Sequence, residues 1–488
     1  MRSSLLALAP LLLCFHCSGD EADRPRAADR GVPEEELPLG DAGVIDTDAS
    51  VEPDAGDPSA FPAPLDQLDL GTVDGDAVIE FDLPENVAGF QIVAKRDPSQ
   101  DEFTVQSLTG PDGSSVVTAK KFAGTQKDQT PALSLTTLAT TVPQHDTEIG
   151  LKPQAGTWKL RLAGAGGDVS VRILLRRTSD GAPKPGLLDL KVYIPQGLVL
   201  DEETITVANA ETIAAVQDRI AGFDSSIERL YGVRLGRVRY APMPAKFRAL
   251  EETFFEAGLE TEGDGRVLHL VLSEETQSFW GIAGGIPGAV GTSKSENSVF
   301  ALSSLWRTFS GELGGDYGPL AAVEGDVLAH EVGHFLGLFH STEGDGSDAD
   351  PLEDTPQCPA ATIGSSLESC PDYSNVMFFS SQDPNMIASP LQKRVVQGSA
   401  LLRGFTTSGA LQTRRPVARQ LVKPGFLFHA PTSELTQAQR LAMSGACGSG
   451  SHGRISTPAP VRAELERIAA DTTLAPAFRH GAARALGH

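Results

Sequence analysis

At 488 residues the chain has room for about two or three domains, and with 40% hydrophobic residues it can bury a sizeable core. It carries 64 Asp and Glu against 40 Lys and Arg, a formal charge of −24. Phosphate binding needs clustered cations, so this balance argues against nucleic acid as a partner and reads as a soluble, self-repelling surface.

Residues 1–17 read as an export signal. Arg2 supplies positive charge, and Leu5 to Phe15 is an apolar run broken only by Pro10. The run is too short to span a bilayer as a helix and suits a signal h-region. Cys14 and Cys17 sit at its end, where a bacterial lipoprotein carries its lipidated cysteine. The residues before them are not the small ones usual there, so lipid anchoring and plain cleavage both stand. The protein is expected to be exported, as an extracellular protein or an outer-surface lipoprotein of a bacterium. No later stretch is apolar enough for a transmembrane helix.

Residues 18–64 are rich in Asp, Glu, Ala, Pro and Gly and nearly lack aromatics, the composition of a tether that cannot fold alone. Over 65–180 short runs of period two follow one another between turn residues, as in Ala77 to Leu83, Phe90 to Ala94 and Val169 to Leu175. They predict a β-sandwich-like accessory module: a binding module, a propeptide or a spacer.

From 186 to 404 strands and helices mix. Leu188 to Ile194, Val233 to Tyr240 and Arg266 to Leu272 read as strands. Ala210 to Tyr231 has apolar residues at helical spacing, at Ile213, Val216, Ile220, Phe223, Ile227 and Leu230. The glycine-rich stretch Gly281 to Gly288 lacks the Lys-Ser/Thr ending of a phosphate cradle and fits no dinucleotide fingerprint. The layout predicts an α+β domain. Residues 405–488 loosen and then regain helical spacing near the end, an appendage that is partly helical.

The decisive stretch is Val327 to His340. His330 and His334 stand four apart, one above the other on a helix, and can aim two imidazoles at one ion. Glu331 can reach a water on that ion without ligating it. A straight helix would carry His340 away, but Gly337 accepts the left-handed conformation that ends a helix and lets the chain turn back. Three nitrogen ligands leave a fourth position for water, the open geometry of a catalytic zinc site.

With these residues the chain resembles the metzincin clan of zinc peptidases, whose extended motif it matches. It is most similar there to the pappalysin and cytophagalysin family, through His334 to His340, Glu353 to Gln357, Asn375-Val-Met377 and Pro390 to Gln392. The resemblance implies a metzincin-like fold: a twisted mixed sheet, an active-site helix and a methionine turn, with Met377 as an apolar floor below the metal. Two residues depart from the family pattern: Ser341 stands for the usual Thr and Phe379 for the usual Tyr, a phenol that can bind a tetrahedral intermediate.

Cys358 and Cys370, close together in one loop-rich segment, are the expected disulfide pair in an exported protein, with Cys447 left over; free thiols are the alternative. In the acidic loop from Glu343 to Asp350, Asp345, Asp348 and Asp350 could wrap a hard cation. The resemblance also implies calcium there; an exposed acidic loop is the other reading.

The function expected is a zinc-dependent endopeptidase acting on protein or peptide substrates, with Glu331 taking a proton from the attacking water. The extended substrate would lie along an edge strand, either Arg266 to Leu272 or the segment near Gly284 to Val290. A catalytically weak or inactive binding or adhesion protein is the alternative, supported by Phe379.

Overall fold

The computed structural model describes residues 61–404 except 98–102, 119–135, 145–152, 251–252, 275–279, 296, 304–319, 345, 347–348, 364 and 380–384. The expected signal segment with Cys14 and Cys17, the expected tether up to residue 60, Asp345, Asp348, and the expected 405–488 appendage with Cys447 lie outside the described residues.

The chain opens with β1 (Asp66–Asp74), β2 (Ile79–Leu83), β3 (Val87–Lys95), β4 (Thr104–Thr109), β5 (Ser115–Thr118), β6 (Thr137–Val142), β7 (Gly156–Ala163) and β8 (Asp168–Arg177). They form two four-stranded antiparallel sheets, ordered β1-β8-β3-β6 and β2-β7-β4-β5. In β2 the alternation is complete: Ile79, Phe81 and Leu83 point inward, Glu80 and Asp82 outward. Phe81, Phe90 and Trp158 meet in the core between the sheets, with Phe90 edge-on to Trp158 at 5.0 Å. Each large apolar side chain buried here contributes about 1.5–3 kcal/mol.

Strand β3 behaves differently, because every residue from Val87 to Ala94 is buried. Phe90, Ile92 and Ala94 face the sandwich core, whereas Val93, with Ala139 and Leu174, joins a second core belonging to the rest of the chain. The β1-β8-β3-β6 sheet is therefore a middle layer with apolar contacts on both faces.

After the sandwich come β9 (Gly186–Pro195), the short hairpin of β10 (Val199–Leu200) and β11 (Glu203–Thr204), helix α1 (Ala214–Tyr231), β12 (Arg234–Met243), helix α2 (Phe254–Leu259), β13 (Leu268–Ser273), β14 (Gly281–Ala283) and β15 (Val299–Ser303). Helix α3 (Leu320–Phe335), α4 (Ala360–Ile363), α5 (Pro390–Gln397) and β16 (Arg403–Gly404) follow. The six-stranded sheet runs β12-β9-β13-β15-β14, with β16 also paired to β9. Strands β12, β9, β13 and β15 are parallel, and β14 and β16 are antiparallel to their neighbours. Leu188, Leu190, Val192, Leu268, Leu270 and Phe300 turn one face towards α1 and α3. Tyr193, Val271, Val299 and Ala301 turn the other towards Phe247, Leu250 and Phe254.

Helix α1 places Val216, Ile220, Phe223, Ile227 and Leu230 on one buried stripe and ends at Gly232, whose backbone is left-handed. It begins at Ala214 rather than Ala210, because Thr206 and Asn209 exchange side-chain bonds with each other's backbone N–H and hold the preceding residues in turns. Helices α1 and α3 are locked by polar pairs in an apolar setting. The Arg219 guanidinium lies 3.0 Å from Glu324, and Ser226 and Arg229 both donate to Asp326 at 2.7 and 2.6 Å.

The expectation of an α+β, metzincin-like catalytic domain in a multidomain chain is corrected by this architecture. Among the described residues strands dominate: sixteen strands in four sheets stand against five α-helices, two of them with six residues or fewer. The protein is β-rich, and the sandwich and the six-stranded sheet share one core through Val93, Ala139 and Leu174. The physical reason is the doubly buried middle sheet, whose second face a reading of period-two alternation assigns to water.

Candidate metal centre

Helix α3 carries Leu328, Val332, Phe335 and Leu336 into the core, which fixes its rotation about its own axis. His330 and His334, one turn apart, then project from the same face, and both are buried. After Phe335 the chain turns at Gly337, whose φ is +111°, a conformation that side-chain-bearing residues rarely adopt. Gly337 N–H donates to the His334 carbonyl and Leu338 N–H to the Gly333 carbonyl, closing the helix end. This turn brings His340 back beneath the helix.

The three imidazoles converge. The Nε2 of His334 lies 3.1 Å from the Nε2 of His330 and 3.1 Å from that of His340. Each Nδ1 faces an oxygen instead: the Val376 carbonyl at 2.6 Å, the Leu338 carbonyl at 2.8 Å and the Glu343 carboxylate at 3.0 Å. Those oxygens accept the ring protons, so the Nε2 lone pairs are left pointing at one another. Buried lone pairs in that arrangement repel unless a cation lies between them. Zinc at ~2.0–2.1 Å from each nitrogen with tetrahedral angles requires nitrogens about 3.3 Å apart. The donor set thus fits zinc, with imidazoles held in the required tautomer by oxygens on the far ring nitrogen.

Glu331 is buried, and burial alone pushes its carboxyl up to about 8. Its side chain lies against β14, where a Cβ at Gly281 would collide with Glu331 Cγ and sit 2.8 Å from Val327 Cγ1. Met377 is fully buried, with its sulfur 3.6 Å from the Tyr231 hydroxyl, which donates to the Ala329 carbonyl of α3 at 3.0 Å. The turn holding Met377 is braced from both sides. Its carbonyl accepts from Ser341 N–H at 2.9 Å, and Asn375 and Gln392 exchange amide hydrogen bonds at 3.1 and 3.0 Å. Gln392 belongs to the capping box that starts α5, with Ser389 as the N-cap.

Cys358 and Cys370 form a disulfide with a Cα separation of 5.1 Å. It joins Ile363, Phe378 and Phe379 in a small buried cluster. Ser341 and Thr342 both donate to Asp372 Oδ2, at 2.8 and 2.6 Å, and burial raises the Asp372 carboxyl.

Of the three carboxylates that could wrap a cation, only Asp350 is among the described residues. It turns inward rather than towards the loop: Oδ1 accepts from Leu352 N–H at 3.2 Å and from the Thr355 hydroxyl, and Oδ2 faces the Gln392 amide at 3.5 Å. Burial drives its pKa well above the ordinary carboxylate range.

Two features of the site escaped sequence reading. Glu343, which by composition belongs to the acidic loop, stands three residues after His340, and that spacing is the signal for its place beside the ring. Among the described residues the edge strand beside the site is Gly281–Ala283, whereas Arg266 to Leu272 runs into β13, which has neighbours on both sides.

No family model matches the chain, and no curated protein matches it. Among solved structures, similarity is reported to protein YxiM of Bacillus subtilis (11% identity, 40% of this chain and 45% of that one, TM-score 0.13). It is also reported to the catalytic unit of a GH87 α-1,3-glucanase from Streptomyces thermodiastaticus (11%, 44% and 45%, TM-score 0.17). A third is the glycosylation-associated protein complex Gap123 of Streptococcus agalactiae (14%, 44% and 62%, TM-score 0.12). The matches span less than two thirds of each of those chains, and likeness at this level falls short of a shared fold.

Proposed function

We propose that the protein is an exported zinc-dependent endopeptidase. The convergence of three Nε2 atoms, each with its Nδ1 committed to an oxygen, carries the reading. The resemblance of the motif residues to zinc peptidases supports it. His330, His334 and His340 would hold the ion, and zinc there supplies Lewis acidity towards water and a scissile carbonyl.

Glu331 stands next to the first ligand in sequence and packs against the edge strand β14, where it would serve as the base. It takes the proton of the attacking water and hands it to the leaving amine. Strand β14 pairs with β15 on one side only among the described residues. An extended peptide adding to its other edge would lie beside Glu331. Export rests on the composition of residues 1–17, and a lipid anchor on Cys14 or Cys17. Among the described residues no helix is long and apolar enough to cross a membrane.

Phe379 favours one other reading, a binding or adhesion protein with weak or no turnover. Incubation of purified protein with casein and a peptide library separates the two, using wild type with and without chelator and Glu331→Ala. The peptidase reading expects cleavage by zinc-loaded wild type, its loss with chelator, and a Glu331→Ala protein that keeps zinc without cleaving. A wild type that binds zinc stoichiometrically and cleaves nothing would establish the binding protein instead.

A further inference from the structure

We infer that the β-sandwich is part of the metal centre and that Gln144, just beyond its strand β6, is a positioning residue for His340; this rests on the metal-binding reading above. Gln144 is buried, and its Nε2 donates to the Gly337 carbonyl at 3.2 Å across 193 residues of sequence. Gly337 lies midway between His334 and His340, so the path of its peptide sets where the third imidazole arrives. A carbonyl at a helix C-terminus has no partner within the helix, and in a buried place it needs a donor from elsewhere. The sandwich supplies it. Thr141, also from β6, closes the same turn: a Cβ at Gly337 would stand 2.8 Å from its methyl group.

This contact does not stand alone. Gln91, on the outward face of β3, donates to the Gly288 carbonyl at 3.0 Å and accepts from Val290 N–H at 2.9 Å. Gly288 N–H in turn donates to the carbonyl of Phe335, the last residue of α3. The Asn297 amide donates to the Thr137 carbonyl at 3.0 Å, and Arg176 to the Leu402 carbonyl at 2.7 Å. With Val93, Ala139 and Leu174 in the shared core, these bonds form a seam of apolar contacts and satisfied polar groups. A detachable propeptide or an independent binding module would on leaving strip Gly337 and Gly288 of these partners and expose the shared apolar face to water. Gln91 and Gln144 thus have a common purpose, and Gln144 is the one that acts on the ligand-bearing turn.

The test is cobalt(II) titration of the full chain, read by visible absorption and by thermal unfolding of the metal-free protein. Gln144→Ala and the isosteric Gln144→Glu, which lacks the donor, are compared with wild type. Both are expected to bind cobalt about tenfold more weakly, the equivalent of one buried hydrogen bond, with an altered ligand-field spectrum. Arg176→Met, which removes a seam bond remote from the ligands, is expected to lower the unfolding midpoint with affinity and spectrum unchanged. Gln144 variants that lose stability but keep wild-type affinity and spectrum overturn the positioning role alone. A wild type that takes up no cobalt overturns the metal reading and this inference together.

Discussion

Gly281 and Glu331 are in contact through the space that a side chain on Gly281 would fill. A Cβ there would overlap Glu331 Cγ and lie 2.9 Å from Oε1. The edge strand and the Glu331 carboxylate are therefore fitted to each other. Gly281→Ala should swing the carboxylate out of place and lower kcat by about 100-fold, the scale on which small misplacements act. Zinc content should be unchanged. Full activity in the variant, measured by peptide cleavage, would show that Glu331 does not need this contact.

The carboxylate of Glu343 holds His340 at Nδ1 from three residues away. Oxygens on the far nitrogen of a metal-binding imidazole fix its orientation and strengthen its basicity. Glu343→Ala is expected to weaken zinc affinity by about 10–100-fold, and Glu343→Gln, which retains an acceptor oxygen, by less. Competition against a chromophoric chelator reads this directly. Equal affinities for all three proteins would remove Glu343 from the metal centre.

The Arg219–Glu324 pair is almost wholly removed from solvent, and Glu324 lies on the helix that bears the histidines. Removing one partner strands the other charge. Arg219→Met should cost about 3–5 kcal/mol, while the double change with Glu324→Met should recover most of that. Urea unfolding of the three proteins measures it. A single variant as stable as wild type would mean that Glu324 finds another counter-charge.

His269 lies fully buried in β13, with Nδ1 3.1 Å from the Tyr193 hydroxyl and no partner for Nε2 among the described residues. Burial, aided by the positive charge of Lys191, lowers its pKa to about 3, against ~6.5 when unfolded. Between those values the unfolded chain takes up a proton that the folded chain refuses. Its contribution is complete above pH ~6.5 and is lost as pH falls towards 3, at about 1.4 kcal/mol per unit. His269→Phe should flatten this part of the acid limb, seen as a smaller shift in urea midpoint between pH 7 and pH 5. An unchanged shift would assign the acid sensitivity to other groups.

The amino-acid sequence by itself determined the local geometry. Four-residue spacing puts His330 and His334 on one helical face, the apolar residues Leu328, Val332 and Phe335 set which face that is, and glycine at 337 permits the backward turn. Strand β2 likewise shows its inward side through Ile79, Phe81 and Leu83. These follow from backbone periodicity and steric rules acting over a few residues. Only the tertiary structure decided what depends on distant chain segments meeting. It gave the polar residues Gln91 and Gln144 buried backbone partners, placed the carboxylate of Asp350 inward, put the edge strand at Gly281–Ala283, and joined the sandwich to the half that carries the three histidines through one core. The physical reason lies in burial: a polar side chain in an alternating strand reads as solvent-facing until a second layer covers it, and no local pattern records that layer.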